Sequence, residues 1–348
     1  MSCFLLLTGA SDPPETPSLP TPAPNANDYL TAEEQSGETP IDLTDKLFSI
    51  LTLGTTRAVK LLSPRLAALF GVLLLSSMLH ALGELHEAGG LSALCDFAVL
   101  LSVSGVVYSI LGSLFAMAKE ALTGLTTYMT ALLPVTTAVL ISGGNPTTAA
   151  TSAGAFSLFL TCAELLSSGV LFPLLQTSFT LCFAGAMPGA VDLSPLSSLV
   201  RNTFSVLLAF LYTTLGFLIG AQSVLSASKD GFLYRTIRFA SGVFIPVVGG
   251  LLGDAARTVA SGIGVIRSTV GTVGLVVTLA LLLPPLITVL AHRFLFSLSA
   301  ALAKMLGCSR EASLLSDLGS VLGLLSGVLI GSAAVAVLYL ACFIRVGG

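Results

Sequence analysis

Asp254 and Arg257 stand three residues apart in FIPVVGGLLGDAARTVASG, residues 244–262. On a helix, residues at that spacing share a face, so the carboxylate and the guanidinium can pair. Long uncharged segments flank the stretch, and Arg267 follows ten residues after Arg257. Ionisable groups in such surroundings face a bundle interior or a water-filled path, because lipid solvates them poorly. Glu164 poses the same problem in LFLTCAELLSSGVLF. At a bilayer centre it costs roughly 2.5–3.5 kcal/mol on insertion scales. It either faces a polar path or sits near an interface where Pro173 ends its helix.

Other arrangements fall short of chemistry. His80 and Glu84 in HALGELHE share a helix face and His86 lies beside them, but the remaining histidine is His292 alone. A metal shell is not completed, and the cluster reads as the polar end of a helix. GLLGD, 250–254, has Leu251 where an intramembrane aspartyl protease motif needs glycine. LSSG at 166–169 and LLSG at 324–327 lack the first glycine of a rhomboid-type serine motif. No phosphate-cradling or dinucleotide loop is present. No catalytic residue, metal or cofactor is expected. The six cysteines include no CxxC, and most lie in apolar runs where free cysteine acts as a small hydrophobe.

The elements that carry these residues follow from composition. Only 9% of the 348 residues are charged and mean hydropathy is +0.95. A soluble domain carries about 25% charged residues, so the chain reads as an all-α, polytopic integral membrane bundle. Residues 1–45 hold eight acids and no Lys or Arg. The other ten acids face all 15 basic residues, so 46–348 carry +5. A basic body suits anionic lipid headgroups, and it is too sparse for nucleic acid.

Four regions are expected. Residues 1–40 are an acidic, Pro-rich disordered segment. MSCFLLLTGAS at its start reads either as the remnant of a signal peptide or as an incidental apolar run. Residues 41–65 form an interfacial amphipathic helix with Lys46, Arg57, Lys60 and Arg65 at headgroups, or a plain connecting helix. Residues 66–228 are a first group of transmembrane helices. Residues 229–348 are a second membrane region.

Charges delimit uncharged runs of 18 to 43 residues, against roughly 20 needed to cross hydrocarbon. About seven full spans and one or two shorter, broken ones are expected. In 244–270, Pro246, Gly249 and Gly250 oppose a regular helix. That segment reads as a broken or re-entrant element lining a path or docking a partner, or as a surface loop between spans. The positive-inside rule places Arg57, Lys60, Arg65 and the C-terminal Arg345 on the cytoplasmic side, whereas a cleaved signal peptide would argue the reverse for the first span.

The last span has Gly319, Gly323, Gly327 and Gly331 at every fourth position. They form one groove for close helix approach, within the chain or between copies. Ser102, Gly105, Ser109, Gly112 and Ala116 make a second small-residue stripe.

YRTIRFASGVFIPVVGGLLGDAARTVASGIGVIRSTVGTVGLVVTLALLLPP, 234–285, and AKEALTGLTTYMTALLPVTTAVLISGG, 118–144, resemble the stage III sporulation protein AE family. The residues matching its motif are Phe244, Pro246, Gly249, Asp254, Thr258 and Gly271. The resemblance implies a multi-pass protein of the mother-cell membrane around the forespore. It implies a secretion-like channel, or feeding tube, needed for late forespore gene expression. It also implies partners: other stage III sporulation membrane proteins, a secretion-type ATPase and a forespore-side protein. A non-conducting scaffold and an independent small-molecule permease are the alternatives. Candidate path or docking residues are Glu164, Phe244, Pro246, Gly249, Gly250, Asp254, Arg257, Thr258, Arg267 and Gly271.

Overall fold

The computed structural model describes residues 43–85, 89–143, 146–167, 171–186, 193, 195–217, 219 and 249–345. The N-terminal segment, Phe244, Pro246 and His86 lie outside them. The described residues form seven helices and no strand. They are α1 (Leu43–Leu85), α2 (Gly89–Ser142), α3 (Pro146–Ser167) and α4 (Leu171–Ala186). Then come α5 (Pro195–Phe217), α6 (Gly249–Met305) and α7 (Ser309–Arg345). The all-α membrane bundle expected from composition is therefore what the chain forms.

Five helices are long and apolar enough to cross a membrane: α1, α2, α5, α6 and α7. Two apolar helices are shorter, Ala149–Cys162 within α3 and Phe172–Ala186 within α4. Among the described residues this is fewer than the seven or so full spans expected, and one reason is that a charge need not end a helix. Lys119 and Glu120 sit mid-way along the 54-residue α2, both exposed, and the helix passes straight through them. An exposed charge on a helix surface leaves the backbone ladder intact. The same holds at the 65/66 boundary, which α1 crosses without a break. Pro64 cannot donate to the Lys60 carbonyl there, and the Ser63 hydroxyl reaches that carbonyl at 3.4 Å instead.

The segment 244–270 is described only in part. From Gly249 onward it is continuous helix, the first part of the 57-residue α6. Gly249 and Gly250 fall in the first turn, where a glycine interrupts no packed ladder and costs about 1 kcal/mol or less. Any break therefore lies before Gly249, outside the described residues.

α6 and α7 form the central antiparallel hairpin, closed by a three-residue turn. Gly307 adopts φ 80°, the left-handed conformation that favours glycine. The Cys308 amide donates to the Ala303 carbonyl at 2.9 Å, and the Gly307 amide to Lys304 at 3.2 Å. These two bonds cap the end of α6. α6 and α7 pack on each other most extensively, and α1 and α2 both pack on α6. α4 lies against α7, and α3 against α2. Helices of the two expected membrane regions thus interleave.

The core is mostly apolar, with a few buried polar side chains such as His292 and Glu311. Val276, Val277, Leu282, Leu318, Leu322 and Leu325 are all buried. Aromatic contacts tie α2 to α4 through Phe115, Phe172 and Phe179. The Phe156 and Tyr339 rings, 4.5 Å apart, tie α3 to α7.

Candidate functional site

Close contacts fix the register of the bundle. A Cβ at Gly274 would meet Leu340, and one at Gly323 would meet Arg293, so α7 descends as α6 rises. Gly54 of α1 faces Pro284 and Ile287, while Ser77 reaches the Leu306 carbonyl, so α1 runs parallel to α6. Leu132 of α2 also meets Gly274, and Ser113 shares Arg65 with His292, so α2 runs antiparallel to α6.

This register gathers charge that is scattered in sequence. Arg57, Lys60 and Arg65 of α1, Lys119 of α2 and Arg293 of α6 fall within about 10 Å along the bundle axis, at 1.5 Å per residue. Sequence spacing gave no sign of this belt, because its members are up to 236 residues apart in the chain, as Arg57 and Arg293 show.

Three polar links, buried or partly buried, join the helices near and beyond that belt. His292 is fully buried and its Nδ1 is 2.7 Å from the Thr288 carbonyl, so Nδ1 carries the proton. Its Nε2 then accepts from the Arg65 guanidinium at 2.7 Å. Arg65 also donates to Ser113 Oγ at 3.0 Å, which joins α1, α2 and α6.

In the second link, Arg201 of α5 pairs with Asp317 of α7 at 2.9 Å and lies 3.8 Å from Cys182 Sγ of α4. In the third, Ser76 of α1 donates to buried Glu311 Oε1 at 3.3 Å, with Cys308 Sγ at the same distance from Ser76. None of these links is visible as a motif. A charge bordering an apolar run was their one signal, and at Arg65, Arg201 and Asp317 it was read as a span edge.

The glycine groove of α7 is occupied from within the chain over most of its length. Gly331 lies against the Tyr212 ring, Gly327 against Leu208 and Gly323 against Arg293. Gly319 is open. The Tyr212 hydroxyl donates to the Val328 carbonyl at 2.8 Å and lies 2.8 Å from Ser332 Oγ. The second stripe is different: Ser102, Gly105, Ser109, Gly112 and Ala116 are all exposed on α2, and a Cβ at Gly105 or Gly112 would meet nothing.

The described residues among those expected to line a path or dock a partner lie on two helices. Glu164 lies in the last turn of α3, and Gly249, Gly250, Asp254, Arg257, Thr258 and Arg267 ride on the first half of α6. The side chains of these residues lie outside the described ones. Gly271 abuts Ile344 and Phe343 near the end of α7. α7 ends at Arg345, so Asp254 lies about 25 Å further along α6 than the last turn of its hairpin partner.

The family described as Stage III sporulation protein AE matches residues 25–347. Stage III sporulation protein AE of Bacillus subtilis (strain 168) is 32% identical over 191 residues, 55% of this chain and 48% of the relative. The chain thus spans about half the length of the curated relative it matches. No solved structure matches it. With a match over nearly all of its length, and an all-helical membrane body beneath it, the chain belongs to the stage III sporulation protein AE family.

Proposed function

We propose that this chain is the membrane-embedded component of a secretion-like channel between mother cell and forespore, required for late forespore gene expression. The family match over residues 25–347 carries the reading. Its setting is the mother-cell membrane around the forespore, with other stage III sporulation membrane proteins, a secretion-type ATPase and a forespore-side protein as partners. The extension of α6 beyond the end of α7 supports a docking role, because it carries Asp254, Arg257 and Thr258 clear of the hairpin.

One observation favours a second reading, a non-conducting scaffold. Leucines and a valine fill the contact face of α7, with Leu318, Val321, Leu322 and Leu325 at 0% exposure, and buried polar groups such as His292 are tied up in hydrogen bonds between helices. A conduit would then run between chains, and the open small-residue stripe of α2 offers a face for self-association.

Deleting the gene in its native host tests the role. Normal vegetative growth with failure of late forespore gene expression supports it. A defect in growing cells, or intact sporulation, sinks it and brings forward an independent permease. Crosslinking from 249–262 separates channel from scaffold: contact with partner proteins favours the scaffold, and aqueous labelling from both sides favours a pore.

A further inference from the structure

A cleft of about 370 Å³ opens between α6 and α7 near their turn. Arg293, Ser297 and Lys304 line it from α6, and Ser316, Gly319 and Ser320 from α7. It holds two cations and three hydroxyls and no carboxylate.

The nearby acids are turned elsewhere. Asp317 pairs with Arg201, and Glu311 is buried against Ser76. Neither Arg293 nor Lys304 has a carboxylate partner among the described residues. A guanidinium and an ammonium left facing one concave site favour a multiply charged oxygen anion.

Two independent features shape the cleft for such a group. Arg293 lies on the α7 backbone at Gly323, where a Cβ would come within 3.2 Å of its Cζ. Gly319 leaves the neighbouring floor empty. Beside the cleft, Leu290, Phe294 and Leu298 recur every fourth residue, 41%, 68% and 39% exposed. They form an apolar strip one helical step from Arg293 and Ser297.

We propose that this cleft binds the headgroup of an anionic glycerophospholipid, with Arg293 and Lys304, about 16 Å apart along α6, towards its two ends and an acyl chain along Leu290, Phe294 and Leu298. A free phosphate would use either cation and leave the apolar strip bare.

The test uses the full-length protein purified in detergent, with bound lipid counted by native mass spectrometry. Phosphatidylglycerol and phosphatidylcholine are offered at equal concentration, with and without excess inorganic phosphate. Preferential retention of phosphatidylglycerol is expected. R293Q with K304Q should lower it roughly 25-fold, at about fivefold per cation near a membrane surface. K60Q, which removes a charge at the same level outside the cleft, should leave it unchanged.

G319L fills the cleft while keeping both charges and should also lose the lipid, which keeps the idea testable if the double variant misfolds. Equal retention by wild type and both cleft variants overturns the proposal. Inorganic phosphate that protects the protein through Arg293 and Lys304, with no lipid retained, assigns the site to a soluble phosphate and overturns the lipid.

Discussion

The Tyr212 ring of α5 lies directly on the α7 backbone at Gly331, and its hydroxyl is fixed between the Val328 carbonyl and Ser332 Oγ, each at 2.8 Å. Without a side chain at 331 the two helices approach closely enough for both contacts. In lipid, where apolar tails compete equally for helix faces, close packing and interhelical hydrogen bonds are what hold helices together.

Substitution along the groove should therefore be graded by position. Gly331→Leu overlaps the Tyr212 ring and should destabilise the bundle by about 1–3 kcal/mol, the range for overpacking. Gly319→Ala, at an open position of the same groove, should be nearly neutral. Tyr212→Phe removes the hydroxyl alone and should cost about 0.6 kcal/mol, with roughly 1.7 as the upper bound. Thermal unfolding in detergent, followed by circular dichroism, reads all three. Equal losses at 319 and 331 would mean the groove is not used as the structure shows it.

Arg201 and Asp317 should prove coupled, though modestly. Their side chains remain 17% and 30% exposed, so solvent screens the pair. A double-mutant cycle with Arg201→Leu and Asp317→Leu should give a coupling of about 1 kcal/mol. The double variant should be less damaged than the two single losses summed, because each single change strands a half-buried charge. Strict additivity would remove this pair as a link between α5 and α7.

Arg65 and His292 carry a larger penalty when separated. Arg65→Leu leaves the buried Nε2 of His292 without its donor, which costs about 1–3 kcal/mol. Adding His292→Leu removes the orphaned acceptor and should recover part of that loss. Denaturation of single and double variants checks the order. A double variant worse than Arg65→Leu alone would show that His292 has a role this hydrogen bond does not explain.

These links also mark how far the sequence could be read. The membrane class, the helical fold and the family follow from low charge, long apolar runs and the 234–285 block, all local properties. The glycine spacing of α7 pointed to a packing groove, because periodicity places residues on one face. What occupies the groove was not legible: Tyr212 and Gly331 are joined only by tertiary packing. Counting spans from charges failed at Lys119 and Glu120 because an exposed charge need not end a helix. Arg65 and His292 lie 227 positions apart, and no spacing rule connects them.

The exposed stripe on α2 should respond at the level of assembly. Gly105→Ile with Gly112→Ile adds side chains where a Cβ meets nothing within 4 Å among the described residues. Folding of the single chain should be unaffected beyond a few tenths of a kcal/mol, since isoleucine is also the better helix former. If the stripe is a self-association face, wild-type chains should crosslink to one another in membranes and the double variant should not. An unchanged crosslinking pattern would remove α2 as the face between copies.

Asp254 should separate folding from function. It lies about 25 Å beyond the end of α7 along α6, away from the contacts that hold the hairpin together. Asp254→Ala should therefore accumulate in the membrane at the wild-type level. If the projecting part of α6 docks a partner or borders a path, the variant should still fail to support late forespore gene expression. Because Asp254 and Arg257 are three residues apart on one helix, exchanging their charges tests whether the pair or the position matters. Recovery on exchange would assign the role to the ion pair. Failure would assign it to the carboxylate at 254 itself. Loss of the protein in Asp254→Ala would instead give that residue a part in folding, and the projecting segment would no longer support a docking role.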